Sequence, residues 1–303
     1  MEHHTVLVTG GTGFVGRCIL KELKTNGYNI RCLVRQDSPR LDISKETGSD
    51  IVLGNIWQKD TLKAAFDGVD YVIHLVGIIK PYKDNSFERV HIEGTRNLIE
   101  EAKRHGIGKF VQMSALGARK DAKSQYHKTK WIAEEIVKTS GLRYTIFRPS
   151  IIFGEDCEFL EILKQLISKP LITPIVGLGR NKLQPIYVGD VAQVFAKALS
   201  NEQSDGKTIN LGGMRSMPLD EIIDIITTAM DKWKLKIHIP IYMMKPFAFL
   251  MELILSNPPI TRDQLTMLKE DNICGLDEVM RLFKIDSVDF EKWAKEYFKQ
   301  EKD

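Results

Sequence analysis

The chain has 303 residues, 43% apolar and 27% charged, enough for one large α/β domain or for a nucleotide domain with a smaller partner. Its 43 basic and 40 acidic residues are interspersed and leave a net charge of +3, which excludes the concentrated basic footprint of a nucleic-acid binder. Four cysteines, Cys18, Cys32, Cys157 and Cys274, stand apart without a CxxC or a histidine at ligand spacing. Reduced thiols in a cytoplasmic protein are therefore expected, and no metal site. His3 and His4 read as solvated terminal residues.

The predicted elements begin almost at once, and no signal peptide is expected ahead of the first strand, residues 5–9. Further strands are predicted at 29–35, 50–53, 71–76, 109–113, 144–147 and 208–211, with helices near 15–25, 60–66, 87–105 and 124–139. Leu98, Ile99 and Ala102 give the third helix an apolar stripe at helical spacing. This alternation predicts a Rossmann-type doubly wound parallel sheet covered by helices on both faces. After Pro149 the rhythm changes: glycine and proline gather between Pro170 and Pro185, and helical patterns dominate from Ser216 onward. The expected division is a nucleotide domain, 1–150 with returning segments at about 181–213 including a helix at 190–199. A smaller, mostly helical lobe comprises 151–180 and 214–303. The apolar segment 239–256 contains Pro240, Lys245, Pro246 and Glu252 and falls short of a bilayer span, so a packed or amphipathic helix is expected.

Between the first strand and first helix runs Gly10-Gly11-Thr12-Gly13-Phe14-Val15-Gly16, which fits both GxGxxG and GxxGxxG. Glycines there permit a tight turn and close approach of backbone to a pyrophosphate, which the helix N-terminus attracts. A dinucleotide site is expected. The end of the second strand reads Arg31-Cys32-Leu33-Val34-Arg35-Gln36, with no carboxylate for a ribose 2′-hydroxyl. Arg35 is the expected 2′-phosphate ligand, with Arg17 and Arg31 as helpers, so NADP(H) is favoured and NAD(H) stays open. The alternative is that these are solvated surface arginines.

Ser114 ends the fifth strand, and Tyr126 and Lys130 follow at YxxxK spacing, one helical turn apart. A phenol beside an ammonium is expected to titrate lower than usual and to exchange a proton with a carbonyl or alcohol while hydride moves on the nicotinamide. Ser114, Tyr126 and Lys130 are the candidate catalytic residues.

With these residues in place the chain resembles the short-chain dehydrogenase/reductase superfamily, in its extended and atypical branches. Gly94-Thr95-Arg96-Asn97-Leu98, Arg148-Pro149-Ser150, and Tyr187-Val188-Gly189-Asp190 agree with it. Asn257-Pro258-Pro259-Ile260-Thr261-Arg262-Asp263-Gln264-Leu265 and Glu270-Asp271-Asn272 resemble a narrower group, the bacterial relatives of the nucleotide-binding accessory subunit of respiratory complex I. The resemblance implies NAD(P) binding, structural rather than catalytic in some members. Asn55 stands where Asp is common beside the adenine, and Val76, Gly77 and Pro149 complete the expected cofactor set. His91 occupies the place of an active-site asparagine, and Leu183 that of a nucleotide-sugar-binding arginine, with Arg180 and Lys182 nearby. Asp190 is expected to cap its helix.

The leading expectation is an NADP(H)-binding oxidoreductase acting on a small carbonyl or alcohol. The others are a non-catalytic NADPH-binding subunit or redox-sensing module, and a nucleotide-sugar epimerase or dehydratase. Among partners an unidentified small molecule comes first; nucleic acid and a transmembrane span are excluded, and contact with a membrane surface or a protein complex is left open.

Overall fold

The computed structural model describes residues 4–300 other than Lys83 and Pro170, so His3 and Pro170 of the sequence reading lie outside the described residues. In chain order the first half contains β1 (Thr5–Thr9), α1 (Phe14–Thr25), β2 (Asn29–Val34), α2 (Ile43–Thr47), β3 (Asp50–Leu53), α3 (Lys63–Phe66), β4 (Tyr71–His74), α4 (Gly94–Arg104), β5 (Lys109–Met113), α5 (Gln125–Lys138) and β6 (Tyr144–Pro149). Then follow β7 (Ile152–Phe153), α6 (Glu158–Ser168), β8 (Ile172–Val176), β9 (Lys182–Leu183), β10 (Ile186–Tyr187), α7 (Val188–Ser200) and β11 (Lys207–Leu211). The last part holds β12 (Met217–Pro218), α8 (Leu219–Ala229), β13 (Leu235–Ile239), α9 (Ile241–Ile254), α10 (Arg262–Met267), α11 (Asp277–Phe283) and α12 (Phe290–Gln300).

Seven strands form one sheet in the order β11-β6-β5-β4-β1-β2-β3, with every pairing parallel. The expected doubly wound sheet is therefore present. The strands are mostly apolar because helices cover both faces, and parallel sheets need that cover. Ile19, Leu20 and Leu23 turn one face of α1 onto the sheet at helical spacing. Leu98, Ile99 and Ala102 do so for α4 on the opposite side, in a separate apolar cluster. The winding direction reverses between β1 and β4, and that crevice at the strand ends is where a doubly wound fold offers a ligand site.

A third cluster unites Phe153, Leu160, Ile167, Met217, Ile222, Ile226, Phe290 and Phe298 from α6, α8, α12 and the short strands. Val279, Leu282 and Phe283 of α11 join the main core instead. Pairing of β8 with β13 was not expected from the helical patterns of this region. The expected helix at 87–105 begins as a π-type segment, Glu88–Glu93, before continuing as α4.

The apolar segment ending at Ser256 becomes α9, with Pro246 inside it. Tyr242, Phe247, Leu250, Leu253 and Ile254 are exposed along it, and Ala248 is its fully buried residue. Among the described residues no helix is long and apolar enough to cross a membrane. Nor do the described residues hold a group of three or more metal-ligating side chains.

Candidate functional site

The glycine loop is shaped by close backbone contacts. Gly10 has φ +83°, and its carbonyl accepts from Gly13 N–H at 3.1 Å. A Cβ on Gly16 would stand 2.2 Å from that carbonyl and 2.7 Å from Gly11 Cα, so the helix can approach the loop only because position 16 has no side chain. A Cβ on Gly13 would meet the Gly10 carbonyl alone, at 3.3 Å, on an exposed position. No side chain caps the N-terminus of α1, and its first turn holds no acid. Free amides, a positive helix end and an open glycine surface fit a pyrophosphate. Thr12, Phe14 and Val15 are half-buried around it.

At the end expected to take the adenosine, a pocket of about 470 Å³ is lined by Arg35, Asn55, Trp57, Thr61 and Arg89, among others. Arg35 is half-exposed and 3.5 Å from the exposed carboxylate of Asp37, a contact weak enough for the guanidinium to leave. Asn55 is fixed by its backbone N–H, which donates to Thr61 Oγ1 at 2.9 Å. The Arg89 guanidinium lies 5.5 Å from the centre of the Trp57 ring. Trp57 and Arg89 were not singled out by sequence, since neither belongs to a motif and only the fold brings them to Arg35.

The two expected helper arginines are engaged elsewhere. Arg31 donates to the carbonyls of Ala65 and Asp67 at the end of α3. Arg17 bonds Asp156 at 2.8 Å, 139 residues further along the chain. Both guanidiniums satisfy groups that the fold delivers to them, which no local pattern announces.

At the end of the crevice expected to take the nicotinamide, Gly77, Tyr126, Lys130 and Ser114 lie near the carboxyl ends of β4 and β5. Lys130 Nζ donates to Met113 O at 3.2 Å and would meet a Cβ on Gly77 at 2.7 Å. Burial pulls this ammonium down to about 8, opposed by the nearby Glu134 carboxylate. The Tyr126 ring packs edge-on to His91 and Phe87, and burial pushes its phenol up to about 12. That direction is opposite to the sequence expectation: removal from water disfavours the charged phenolate and sets the shift. Val76 is half-buried beside Gly77, and the buried Pro149 accepts at its carbonyl from Leu116 N–H at 2.9 Å.

Ser114 Oγ donates to Glu134 Oε1 at 2.5 Å, and both are buried. Glu134 in turn takes a two-pronged contact from Arg148, Nε at 2.7 Å and Nη2 at 2.6 Å. A completely buried carboxylate survives only when paired and hydrogen-bonded in this way. Neither Glu134 nor Arg148 was assigned a role by sequence. Glu134 lies one turn beyond Lys130, a spacing too common on helices to attract notice.

His91 is locked. Ile78 N–H donates to Nε2 at 3.1 Å, so the other nitrogen carries the proton and donates to Thr129 Oγ1 at 2.9 Å. Burial first, and Lys130 second, depress His91 to about 2. His74 is similarly held between Thr9 and Thr95 and lowered to about 3, chiefly by burial. Both rings are neutral struts with their nitrogens engaged.

The late motif wraps back over this end. Asp263 accepts from the backbone N–H groups of Gln125 at 2.7 Å and Tyr126 at 3.1 Å. Glu270 grips Arg119 at 2.7 and 2.9 Å, and Asn272 joins Ser150 to Leu116 O. Leu183 pairs with Met217 across two short strands and bridges to Asn272. Asp190 does not cap α7; its carboxylate accepts from Val288 N–H at 3.0 Å, because the chain after α11 returns there.

Residues 6–212 match the NAD dependent epimerase/dehydratase family. A relative from Arabidopsis thaliana, named as mitochondrial NADH dehydrogenase [ubiquinone] 1 alpha subcomplex subunit 9, is 28% identical over 93% of this chain and 73% of its own. The mitochondrial 40 kDa subunit of NADH-ubiquinone oxidoreductase from Neurospora crassa is 26% identical over 93% and 74%. A photosystem II assembly factor of Cyanophora paradoxa is 26% identical over 97% and 92%. Among solved structures, UDP-glucose 4-epimerase of Thermotoga maritima superposes with TM-score 0.75 over 99% of this chain and 100% of that one, at 19% identity, a likeness of fold. These relatives correct the expected partners: an unidentified small molecule was put first and a protein complex merely left open, whereas relatives spanning nine-tenths of the chain are named as subunits of one. The expected likeness to an accessory subunit of respiratory complex I agrees with the names of those relatives, and the chain belongs to the NAD dependent epimerase/dehydratase family.

Proposed function

We propose that this chain is an NADP(H)-binding subunit of a larger protein assembly, in which the nucleotide serves structure or redox sensing more than turnover. The observation that carries this reading is the Ser114–Glu134 hydrogen bond. Its only proton directed at Glu134, the Ser114 hydroxyl can accept but cannot donate to a substrate carbonyl. A phenol raised to about 12 and a histidine with both nitrogens engaged point the same way. The relatives named as subunits support it, and so does the exposed face of α9, whose tyrosine, phenylalanines and leucines are a composition common in interface cores.

Arg35 and the missing acid at the end of β2 support NADP(H) over NAD(H). The third apolar cluster supports a second lobe, 151–180 with 214–303, beside the nucleotide lobe of 1–150 and 181–213, with α11 reaching back to the main core. The free thiols of Cys18, Cys32, Cys157 and Cys274 support a cytoplasmic setting.

A second reading, reduction of a carbonyl compound, is favoured by Tyr126 and Lys130 on one helix with the lysine beneath Gly77. In that case a bound nicotinamide would supply the hydride, Tyr126 would exchange the proton, and Lys130 would hold the ribose. The third, a nucleotide-sugar epimerase, has Leu183 against it. Mass spectrometry of nucleotide retained on purification, followed by a screen of aldehydes, ketones and alcohols, tests the choice. The subunit reading expects retained NADP(H) and no turnover. Turnover that falls about 10²- to 10⁴-fold in Tyr126→Phe would establish the reductase instead.

A further inference from the structure

The first amides of a helix have no partner within it. In α5 the Ser124 hydroxyl accepts from His127 N–H at 3.1 Å, which leaves the N–H groups of Gln125 and Tyr126 without a local acceptor. Their acceptor comes from 138 and 137 residues further on: one oxygen of Asp263 takes Gln125 N–H and the other takes Tyr126 N–H. A carboxylate at this end also faces the positive pole of the helix.

Asp263 is itself held in place. Arg262, its neighbour, donates from its backbone N–H to Glu252 Oε1 at 2.6 Å and from Nε to Oε2 at 2.7 Å, which fastens the start of α10 to α9. Thr261 and Gln264 form a reciprocal capping box that fixes the same turn. Lys80, three residues past Gly77, donates to Pro258 O at 3.2 Å. Segment α9–α10 is thus joined by hydrogen bonds to the helix that carries both Tyr126 and Lys130, and to the loop on which the nicotinamide end is built.

We propose that Asp263 is a positioning residue: by capping α5 from the C-terminal segment it sets Tyr126 against the nicotinamide end, so that nucleotide binding and the packing of α9–α10 stabilise one another. This rests on the nucleotide-binding reading above. Coupling of this kind is reciprocal, so bound nucleotide tightens α9–α10 and a disturbed α9–α10 weakens the nucleotide. Asp263 bonds backbone rather than substrate, and it acts through the orientation of the first turn.

Hydrogen exchange on the full chain, with and without saturating NADPH, tests the proposal. In the wild type NADPH slows exchange across residues 241–267. In Asp263→Asn the amides of Gln125 and Tyr126 exchange roughly 10-fold faster, as expected for a lost helix cap, and the protection of 241–267 by NADPH disappears. Asp263→Glu restores part of it. Glu270→Gln, which loosens the Arg119 clasp but leaves the Asp263 bonds to the first amides of α5 in place, loses stability but keeps the protection, separating coupling from a merely structural role. NADPH that binds the wild type without changing exchange in 241–267 overturns the coupling alone, as does equal loss of protection in Glu270→Gln. A wild type that does not bind NADPH overturns the nucleotide reading, and this inference with it.

Discussion

Ser114 donates to Glu134 at 2.5 Å, and Arg148 closes the other side of that carboxylate. The triad joins the end of β5 to α5 and β6 inside the protein, with Glu134 wholly removed from solvent. Glu134→Ala would leave the Arg148 guanidinium without its carboxylate and Ser114 without its acceptor. The expected loss is about 3–5 kcal/mol of unfolding free energy, the usual cost of breaking a buried pair from one side. Glu134→Gln keeps an acceptor and should cost about 1–3 kcal/mol. Urea denaturation of the three proteins checks the order; equal stability of wild type and Glu134→Ala would show that the pair is dispensable.

Two glycines of the same loop should fail in different ways. In Gly16→Ala the new methyl collides with the Gly10 carbonyl and Gly11 Cα, so both stability and nucleotide binding are lost. In Gly13→Ala the protein has room apart from the 3.3 Å approach to Gly10 O, and the methyl instead occupies the face offered to the pyrophosphate. Stability then stays near wild type while NADPH affinity drops by roughly 10-fold, the scale of a modest steric clash. Calorimetric melting and nucleotide titration on the two variants separate these outcomes.

Cofactor choice is tested at Arg35. Arg35→Asp exchanges a guanidinium for a carboxylate in the lining of the pocket it shares with Asn55 and Trp57. The ratio of NADPH to NADH affinity should fall by about 10-fold or more, the value of one charge-assisted bond. Raising the salt concentration should shrink the wild-type preference, because Arg35 is half-exposed and screened. An unchanged ratio in the variant would assign the 2′-position to another residue.

Acid should destabilise the fold in a defined window. His74 and His91 have folded pKa values near 3 and 2, against an ordinary 6.5, so the folded protein holds them neutral while the unfolded chain takes up protons. Their contribution is complete above 6.5 and is lost progressively as pH falls below it. At pH 5 each costs about 2 kcal/mol relative to pH 8, or about 4 kcal/mol together, at 1.36 kcal/mol per pH unit. Lys130, lowered to about 8 from 10.5, works in a separate alkaline window and is constant below pH 8. Urea denaturation at pH 8, 6.5 and 5 measures the slope, and His91→Asn should remove about half of it.

The architecture could be read from the chain because its causes are local. Alternating apolar runs and helical stripes require a parallel sheet with two covers, and Gly10, Gly13 and Gly16 can serve only where a strand turns tightly into a helix. Pairing across the fold is different, since a charged side chain carries no mark of where its partner will arrive. Arg31 and Arg17 look available beside Arg35 in the sequence, yet α3 and Asp156 are brought to them by folding. Ser114, Tyr126 and Lys130 were recognisable as a candidate catalytic set, but burial and Glu134 decide which protons Tyr126 and Ser114 hold. Asp263 lies in a segment whose resemblance was evident while its physical task was not. Only when the C-terminal segment folds back over the start of α5 do two unpaired amides acquire their carboxylate.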